Sequence, residues 1–350
     1  MKAIGLSTYG GPDVLRELDL PTPEAGPGEV RVRVHAAAVN PTDAMLRTGV
    51  YAARTTDVPP PYVPGMDAAG VIDQLGPGAD GRLSVGQRVV ALVVPTGPHG
   101  AYAEQIVVPA ESVVPAPAGT GHAEASTLLM NAATARLALD TLALPKGATL
   151  AVTGAAGAVG GYTVELARAD GLTVVADAAP HDRDLVRGFG AAHVVERGAE
   201  AAARIREVAP DGVPGLVDGS DQREEAVPAV ADGGALVALR GWQGPAERGV
   251  RVTPSSWRAY GVTPPCWTGC GGRPSRACCP CASPRCCPPP TRPRRTACSR
   301  PADCAGAWSS TSPEPRVLLS PASTGPRRGR RGPVPSRSEM TENERLWRGS

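Results

Sequence analysis

Residues 148–177 constrain the fold more than any other stretch of the chain. Thr149 to Val152 is a short run with β-branched ends, a Gly-rich turn follows, and Ala158 to Ala169 carries Val159, Thr163 and Leu166 at helical spacing. This predicts a strand, a tight turn and a helix. Ala155, Gly157 and Gly160 fall where a dinucleotide fingerprint puts its small residues: one for the turn, one for close approach of backbone to a pyrophosphate, one for helix–strand packing. The first of them is Ala rather than Gly, so the strict motif is not met. The opening N–H groups of the helix, at Ala158 and Val159, are an anion site by virtue of having no partner within the helix. A second strand, Leu172 to Ala176, runs into Asp177 about 20 residues past the motif, where a carboxylate can accept hydrogen bonds from a ribose. The plainer alternative is a glycine-rich loop in some other parallel sheet. Motif, strand, helix and placed Asp together argue against it.

A length of 350 residues suggests two domains, and 42% hydrophobic content is ordinary for a globular chain. There is no apolar run of membrane-spanning length, and Met1 to Leu6 enters a strand-like pattern without a signal-peptide core, so a cytosolic protein with no membrane partner is expected. All 9 Cys lie between Cys266 and Cys304. From Trp257 onward 16 Arg face 5 acidic residues, a net +11, whereas the preceding residues hold 20 basic and 29 acidic side chains, a net −9. Two different compositions are joined in one chain.

Before the fingerprint, residues 30–38 alternate apolar and polar with period two, the mark of a half-buried antiparallel strand. His35 falls on its polar face and reads as a solvated strand histidine. Further strands are predicted at Ala68 to Gln74, Arg88 to Val94, Ala101 to Val108 and Ser112 to Val114, separated by Gly and Pro turns. A helix is predicted over Ala123 to Leu142, with Leu128, Leu129, Ala132, Ala135 and Leu139 on one face. Strand then alternates with helix: Leu150, Leu172, His193 to Glu196, Gly215 to Asp218, Ala235 to Leu239 and Val250 to Thr253 mark six strands of a parallel, doubly wound sheet. Asp218, and Leu239, Arg240 and Gly241, sit at C-terminal strand ends, the edge where such sheets bind ligands. The fold class is therefore α/β, with an all-β domain over 1–122, a dinucleotide-binding domain over 123–256, and a largely irregular segment over 257–350.

The chain as far as residue 253 resembles the zinc-independent quinone oxidoreductases of the medium-chain dehydrogenase/reductase family. The resemblance rests on Ala38 to Asp43, Arg47 to Tyr51, Pro64 to Gly70, Gly86 to Val89, Gly100 to Glu104 and the Gly-rich turn. It implies a GroES-like β domain packed on a Rossmann domain, with the active site in the cleft between them and a homodimer when the C-terminus is intact. It also implies that Asn40 and Thr134 contact the nicotinamide end, that Gly157, Ala158 and Val159 hold the pyrophosphate, and that Arg47 and Tyr51 face the substrate, Tyr51 offering its O–H. The plain readings of the last two are a surface arginine and a loop aromatic. Zinc-dependent members carry Cys where this chain has Asn40 and His where it has Met66, and their four-Cys zinc loop is missing, so no metal is expected. Without a Lewis acid the acceptor must be intrinsically electrophilic, a quinone or an α,β-unsaturated carbonyl. For the cofactor, Asp177 favours NADH, while the resemblance favours NADPH, with Arg183 close enough in sequence to meet the 2′-phosphate. Both remain open at this point.

From about Thr253 the resemblance stops. A Pro-, Cys- and Arg-rich segment stands where a helix and a return to the β domain are expected, and its composition predicts disorder. Its Cys spacings give no paired C-x-x-C knuckles, and with few aromatics its Arg residues promise only non-specific attraction to phosphate backbones. Out-of-frame translation fits better. Cys and Trp codons both begin TG, so a frame starting one base earlier converts every Cys or Trp into Leu, Met or Val. This places forced hydrophobics at 266, 267, 270, 278, 279, 281, 286, 287, 298, 304 and 308, at spacings that suit a helix and returning strands. Near its end a permitted reading runs Gly-Arg-Leu-Val-Leu, like the strand that closes the β domain of the family. Two functions are thus expected in competition: an NAD(P)H-dependent quinone or enone reductase, or a catalytically impaired nucleotide-binding remnant with an Arg-rich tail.

Overall fold

The computed structural model describes residues 1–52, 58–79, 81–244 and 247–254, and two short strands at 307–309 and 316–317. All of these lie within one compact unit, Met1–Leu318. The remaining calls on 257–350 lie outside the described residues.

The first sheet is antiparallel and is built on β3 (Glu29–Ala38), after a small ribbon of β1 (Lys2–Gly5) and β2 (Arg16–Asp19). The predicted alternation holds: Val30, Val32 and Val34 are essentially fully buried, while Arg31 reaches sideways to Asp73 at 2.8 Å. After helix α1 (Pro41–Arg47) come β4 (Asp67–Leu75), β5 (Arg88–Leu92), β6 (Gln105–Pro109) and β7 (Val113–Pro115). β3 pairs with β4 along its length and with β6 over Glu29 to Arg33. Ala101 to Ala103 fall short of the predicted strand and make only a bridge to Ala3.

His35 is not simply solvated. Its ring stacks on His122 with centroids 4.5 Å apart, and His35 Nε2 and His122 Nδ1 are both buried without a partner. Burial holds both imidazole pKa values below the ordinary range, with the charges of Arg33 and Arg88 adding to the effect.

The helix predicted over 123–142 is two helices, α2 (His122–Ala125) and α3 (Leu129–Leu142). The hydroxyls of Ser126 and Thr127 donate back to the carbonyls of Ala123 and Glu124, both at 2.9 Å, competing with helix continuation at the break. The predicted apolar face survives in α3, where Leu129, Ala132, Ala135 and Leu139 are buried. Leu129 joins Ala69, Val90, Val114 and Ala125 in a small apolar cluster that seats α3 on the antiparallel sheet.

The second sheet holds β8 (Thr149–Thr153), β9 (Thr173–Ala178), β10 (His193–Glu196), β11 (Val213–Asp218), β12 (Val230–Ala238) and β13 (Arg251–Pro254), interleaved with α4 (Ala158–Ala169), α5 (Arg183–Phe189) and α6 (Ala201–Val208). All six predicted strands form, all parallel, in the order β10-β9-β8-β11-β12-β13. Strand order reverses between β8 and β11, and a crevice at the carboxyl ends of those two strands is where ligands bind in open sheets. Buried Val and Leu on both faces, Val152, Val174 and Val217 on one and Val175, Leu216 and Leu236 on the other, give the sheet its two apolar layers.

Within the segment expected to be largely irregular, two short strands are described, β14 (Ala307–Ser309) and β15 (Arg316–Val317). β14 pairs antiparallel with β3, Ala307 opposite Ala38 and Ser309 opposite Ala36.

Candidate active site

The turn after β8 takes its shape from Gly154, one residue before the position expected of Ala155. Gly154 has φ +68°, and a Cβ there would lie 2.9 Å from the carbonyl carbon of Gly219. Ala155 is fully buried in the core beneath the turn, so the working triplet is Gly154, Gly157 and Gly160. Gly157 is the N-cap of α4, and no side chain caps that helix. The first-turn N–H groups of Ala158 and Val159 therefore keep their capacity for an anion. At Gly160 a Cβ would run into the carbonyl oxygen of Gly154, which is the close helix–strand packing predicted for it.

Asp177 organises this turn from β9. Its Oδ1 accepts the N–H groups of Gly154 at 2.6 Å and Ala155 at 3.3 Å, while Oδ2 is buried with no partner. Burial raises its pKa, against the pull of those N–H groups and of the Arg197 charge. Gly154, Gly157, Asp177, Ala178, Ala179 and Arg197 line one pocket. An orphaned carboxylate oxygen, an uncapped helix terminus and a turn with no room for side chains fit the adenosine and pyrophosphate of a dinucleotide. The cation in this pocket is Arg197. Arg183 is engaged elsewhere, with Glu196 at 3.5 Å. Arg197 was legible in principle, because it directly follows β10 at the carboxyl edge of the strand beside β9.

At the switch point, Asp218 is spent on its own loop. Oδ1 accepts from Thr153 Oγ1 at 2.8 Å and from the N–H groups of Gln222 at 3.1 Å and Ser220 at 3.2 Å, and Oδ2 accepts from the N–H of Arg223 at 2.8 Å. These bonds hold a loop in which Asp221 and Arg223 adopt positive φ. Leu239 packs partly buried on the core, its N–H bonded to the Asp218 carbonyl at 3.1 Å; Arg240 is exposed and Gly241 turns the chain at φ +82°.

On the other side of the cleft, Asn40 caps α1 and is held by two carboxylates. Its backbone N–H donates to Asp43 Oδ2 at 2.7 Å and its Nδ2 to Asp67 Oδ2 at 2.8 Å. Asp43 also accepts from the N–H of Gly65 at 3.0 Å and from the Tyr102 hydroxyl at 3.1 Å; Asp67 Oδ1 accepts from the N–H of Met130 at 2.8 Å. Burial pushes Asp43 up to about 6 and Asp67 up to about 7, and sends Tyr102 well above its ordinary value. Neither Asp stood out in the sequence as a site residue, although each is a lone acid in a small or apolar window.

Met66 Sδ accepts from Thr42 Oγ1 at 3.1 Å. Thr134, on α3, donates to the carbonyl of Met130 at 2.7 Å. Arg47 donates to the carbonyl of Gly10 at 2.6 Å and Tyr51 Oη lies 3.5 Å from Met45 Sδ, so α1 and the turn after it carry both residues expected to face substrate. Among the described residues no three His, Cys, Asp or Glu side chains are grouped to hold a metal, and no helix is long and apolar enough to cross a membrane.

Residues 26–118 match the alcohol dehydrogenase GroES-like domain. A quinone oxidoreductase from Pseudomonas aeruginosa is 33% identical over 253 residues, covering 70% of this chain and 74% of the relative. An NADPH-dependent alkenal/one oxidoreductase of Arabidopsis thaliana chloroplasts is 34% identical over 249 residues, covering 69% of this chain and 63% of its own length. Among solved structures, a quinone oxidoreductase from Pseudomonas syringae superposes with a TM-score of 0.64 at 27% identity, covering 74% of this chain and 82% of the other. A mycobacterial protein in complex with NADPH gives 0.62 at 28%, covering 73% and 82%. With the Rossmann strand order, the glycine turn and the GroES-like sheet in place, the chain belongs to the medium-chain dehydrogenase/reductase family, quinone oxidoreductase type.

Proposed function

We propose that the chain transfers hydride from a nicotinamide dinucleotide to a quinone or an α,β-unsaturated carbonyl, without a metal. The observation that carries this is the pocket at the Gly154 to Gly160 turn, where an uncapped α4 terminus meets a buried carboxylate oxygen without a partner. The dinucleotide, when bound, supplies the hydride. Ala158 and Val159 hold its pyrophosphate through their N–H groups, and Asn40 and Thr134 flank the nicotinamide. Arg47 and Tyr51 offer donors to the acceptor oxygen, and the proton comes from water. The metal-free reading rests on the donors present: Asn40 is an amide already bonded to Asp67, and Met66 is a thioether, neither of them the thiolate or imidazole that a catalytic zinc needs. Relatives named for quinones and for alkenals and alkenones support the acceptor class.

For the cofactor we favour NADPH. Asp177 already takes two backbone N–H groups, and its free oxygen is buried, whereas Arg197 is exposed at the pocket and can pair with a 2′-phosphate.

Titration of the purified protein by nicotinamide fluorescence tests both readings. Binding of neither NADH nor NADPH sinks the enzyme reading, and activity abolished by a chelator and restored by zinc sinks the metal-free one. Arg197→Ala is expected to weaken NADPH by about tenfold, near 1.4 kcal/mol, with NADH little changed. An equal loss for both cofactors overturns the role of Arg197. The rival reading, an impaired remnant with a nucleic-acid-binding tail, draws on the +11 charge after residue 256. It predicts a salt-sensitive nucleic-acid affinity that disappears when residues 257–350 are removed.

A further inference from the structure

We infer that Asp67 is a positioning residue that ties Asn40 and Thr134, one on each side of the cleft, into a single rigid unit. The inference rests on the proposed function only for what those two residues hold. The clamp itself rests on geometry. Asp67 opens β4, is fully buried, and has a bond to each oxygen: Asn40 Nδ2 to Oδ2 and the N–H of Met130 to Oδ1, both at 2.8 Å.

The Met130 bond joins the antiparallel sheet to α3. That helix begins after Leu128, which is apolar and caps nothing, so its opening N–H groups have no acceptor of their own. A carboxylate from β4 fills the place, where it also meets the positive end of the helix. The same Met130 fixes Thr134, because its carbonyl receives the Thr134 hydroxyl one turn later at 2.7 Å. Asp67 thus holds the N–H of the residue whose C=O orients Thr134.

The Asn40 bond decides which way the amide faces. An ionised carboxylate only accepts, so with Asp67 ionised it is Nδ2 that points to it. Asp43 fixes the backbone of the same residue through its N–H at 2.7 Å. Beside this polar link lies the apolar joint of Ala69, Val90, Val114, Ala125 and Leu129, which keeps water away from it.

Asp67→Asn keeps the shape but replaces one acceptor with a donor, so either one of the two bonds breaks or the Asn40 amide turns over and presents the wrong end to the cleft. Pyrophosphate and adenosine contacts lie elsewhere, at α4 and Asp177, and the Kd for NADPH is expected to stay within about threefold. With the nicotinamide less well placed, kcat is expected to fall about 30-fold, inside the roughly 100-fold that a displacement of about 1 Å can cost. The primary deuterium isotope effect from reduced cofactor labelled at the transferred position should rise, and bound-cofactor fluorescence should fall. Amide hydrogen exchange at Met130 and Thr134 should quicken. The double variant Asn40→Asp/Asp67→Asn restores a donor–acceptor pair with reversed polarity and should recover part of the exchange protection and of the isotope effect.

Wild-type values of kcat, isotope effect and exchange in Asp67→Asn would overturn the clamp. So would a parallel loss of Kd, kcat and thermal stability, the signature of a merely structural residue. A wild-type protein that binds no cofactor defeats the proposed function instead, and exchange at Met130 then decides the clamp alone.

Discussion

At Asp43 and Asp67, burial outweighs every hydrogen bond the carboxylates accept, and this has a sign that can be measured. Their folded pKa values, about 6 and about 7, lie above the value of about 3.9 for an unfolded Asp. The folded chain therefore holds protons that the unfolded chain has released. The contribution of the pair is complete below about pH 4 and is lost as pH rises to about 7. Urea unfolding should show wild type losing more stability than Asp67→Asn between about pH 5 and about pH 8; identical slopes would refute the burial effect. These two residues mark the limit of what single positions disclosed. Asp177 was legible because a fixed offset from the glycine turn singles it out, and it does reach that turn. Arg197 carries a weaker signal, its place just after β10, and Arg183 lies nearer in sequence, although the fold turns Arg183 to Glu196 and sets Arg197 in the pocket. The polar face of a strand cannot reveal that His35 will find His122, since that contact depends on where α2 docks.

Elements were more legible than residues because periodicity averages over many side chains. All six parallel strands and the buried face of α3 follow from it. What periodicity missed was punctuation. Ser126 and Thr127 continue an apolar pattern while their hydroxyls break the helix, and Gly154 rather than Ala155 supplies the left-handed turn. The break matters, because it brings the N–H of Met130 to Asp67. At the fingerprint, β8 and α4 approach so closely that Gly160 faces the Gly154 carbonyl oxygen with no space for a methyl group. Gly160→Ala should cost about 1 to 3 kcal/mol through overpacking, more than offsetting the better helix propensity of Ala. Since the displaced carbonyl belongs to the turn, dinucleotide affinity should fall as well. Thermal unfolding and cofactor titration of the variant check this; an unchanged Kd together with a raised Tm would show that the turn is looser than its geometry implies.

At the scale of the whole molecule, the two compositions meet at the same place as the family resemblance ends, and the relatives described above cover about 70% of the chain. We propose a loss of one base, or its equivalent, between about codons 253 and 265. A segment folds only when apolar burial offsets about 1 to 2 kcal/mol of backbone entropy per residue. Pro-Pro-Pro at 288–290 and Arg-Arg at 327–328 bury little, whereas the shifted frame forces Leu, Met or Val at eleven positions. One of these is position 308, at the centre of β14, and in the permitted reading 307–309 become Arg-Leu-Val. The backbone of that strand already pairs with Ala36 to Ala38 of β3, so the restored residues would enter the sheet at an edge that accepts a strand in this register. Little regular structure is expected beyond 262, and the described residues there hold only two short strands; a short strand needs only a free edge, not a favourable composition. Re-sequencing the coding DNA is the direct check. A single-base lesion in that window supports the frame reading, and the repaired chain should then gain solubility and a higher Tm as apolar surface of the β domain is covered. An intact frame, with a folded Cys-ligated module after residue 257, would show that the segment is a genuine part of the protein.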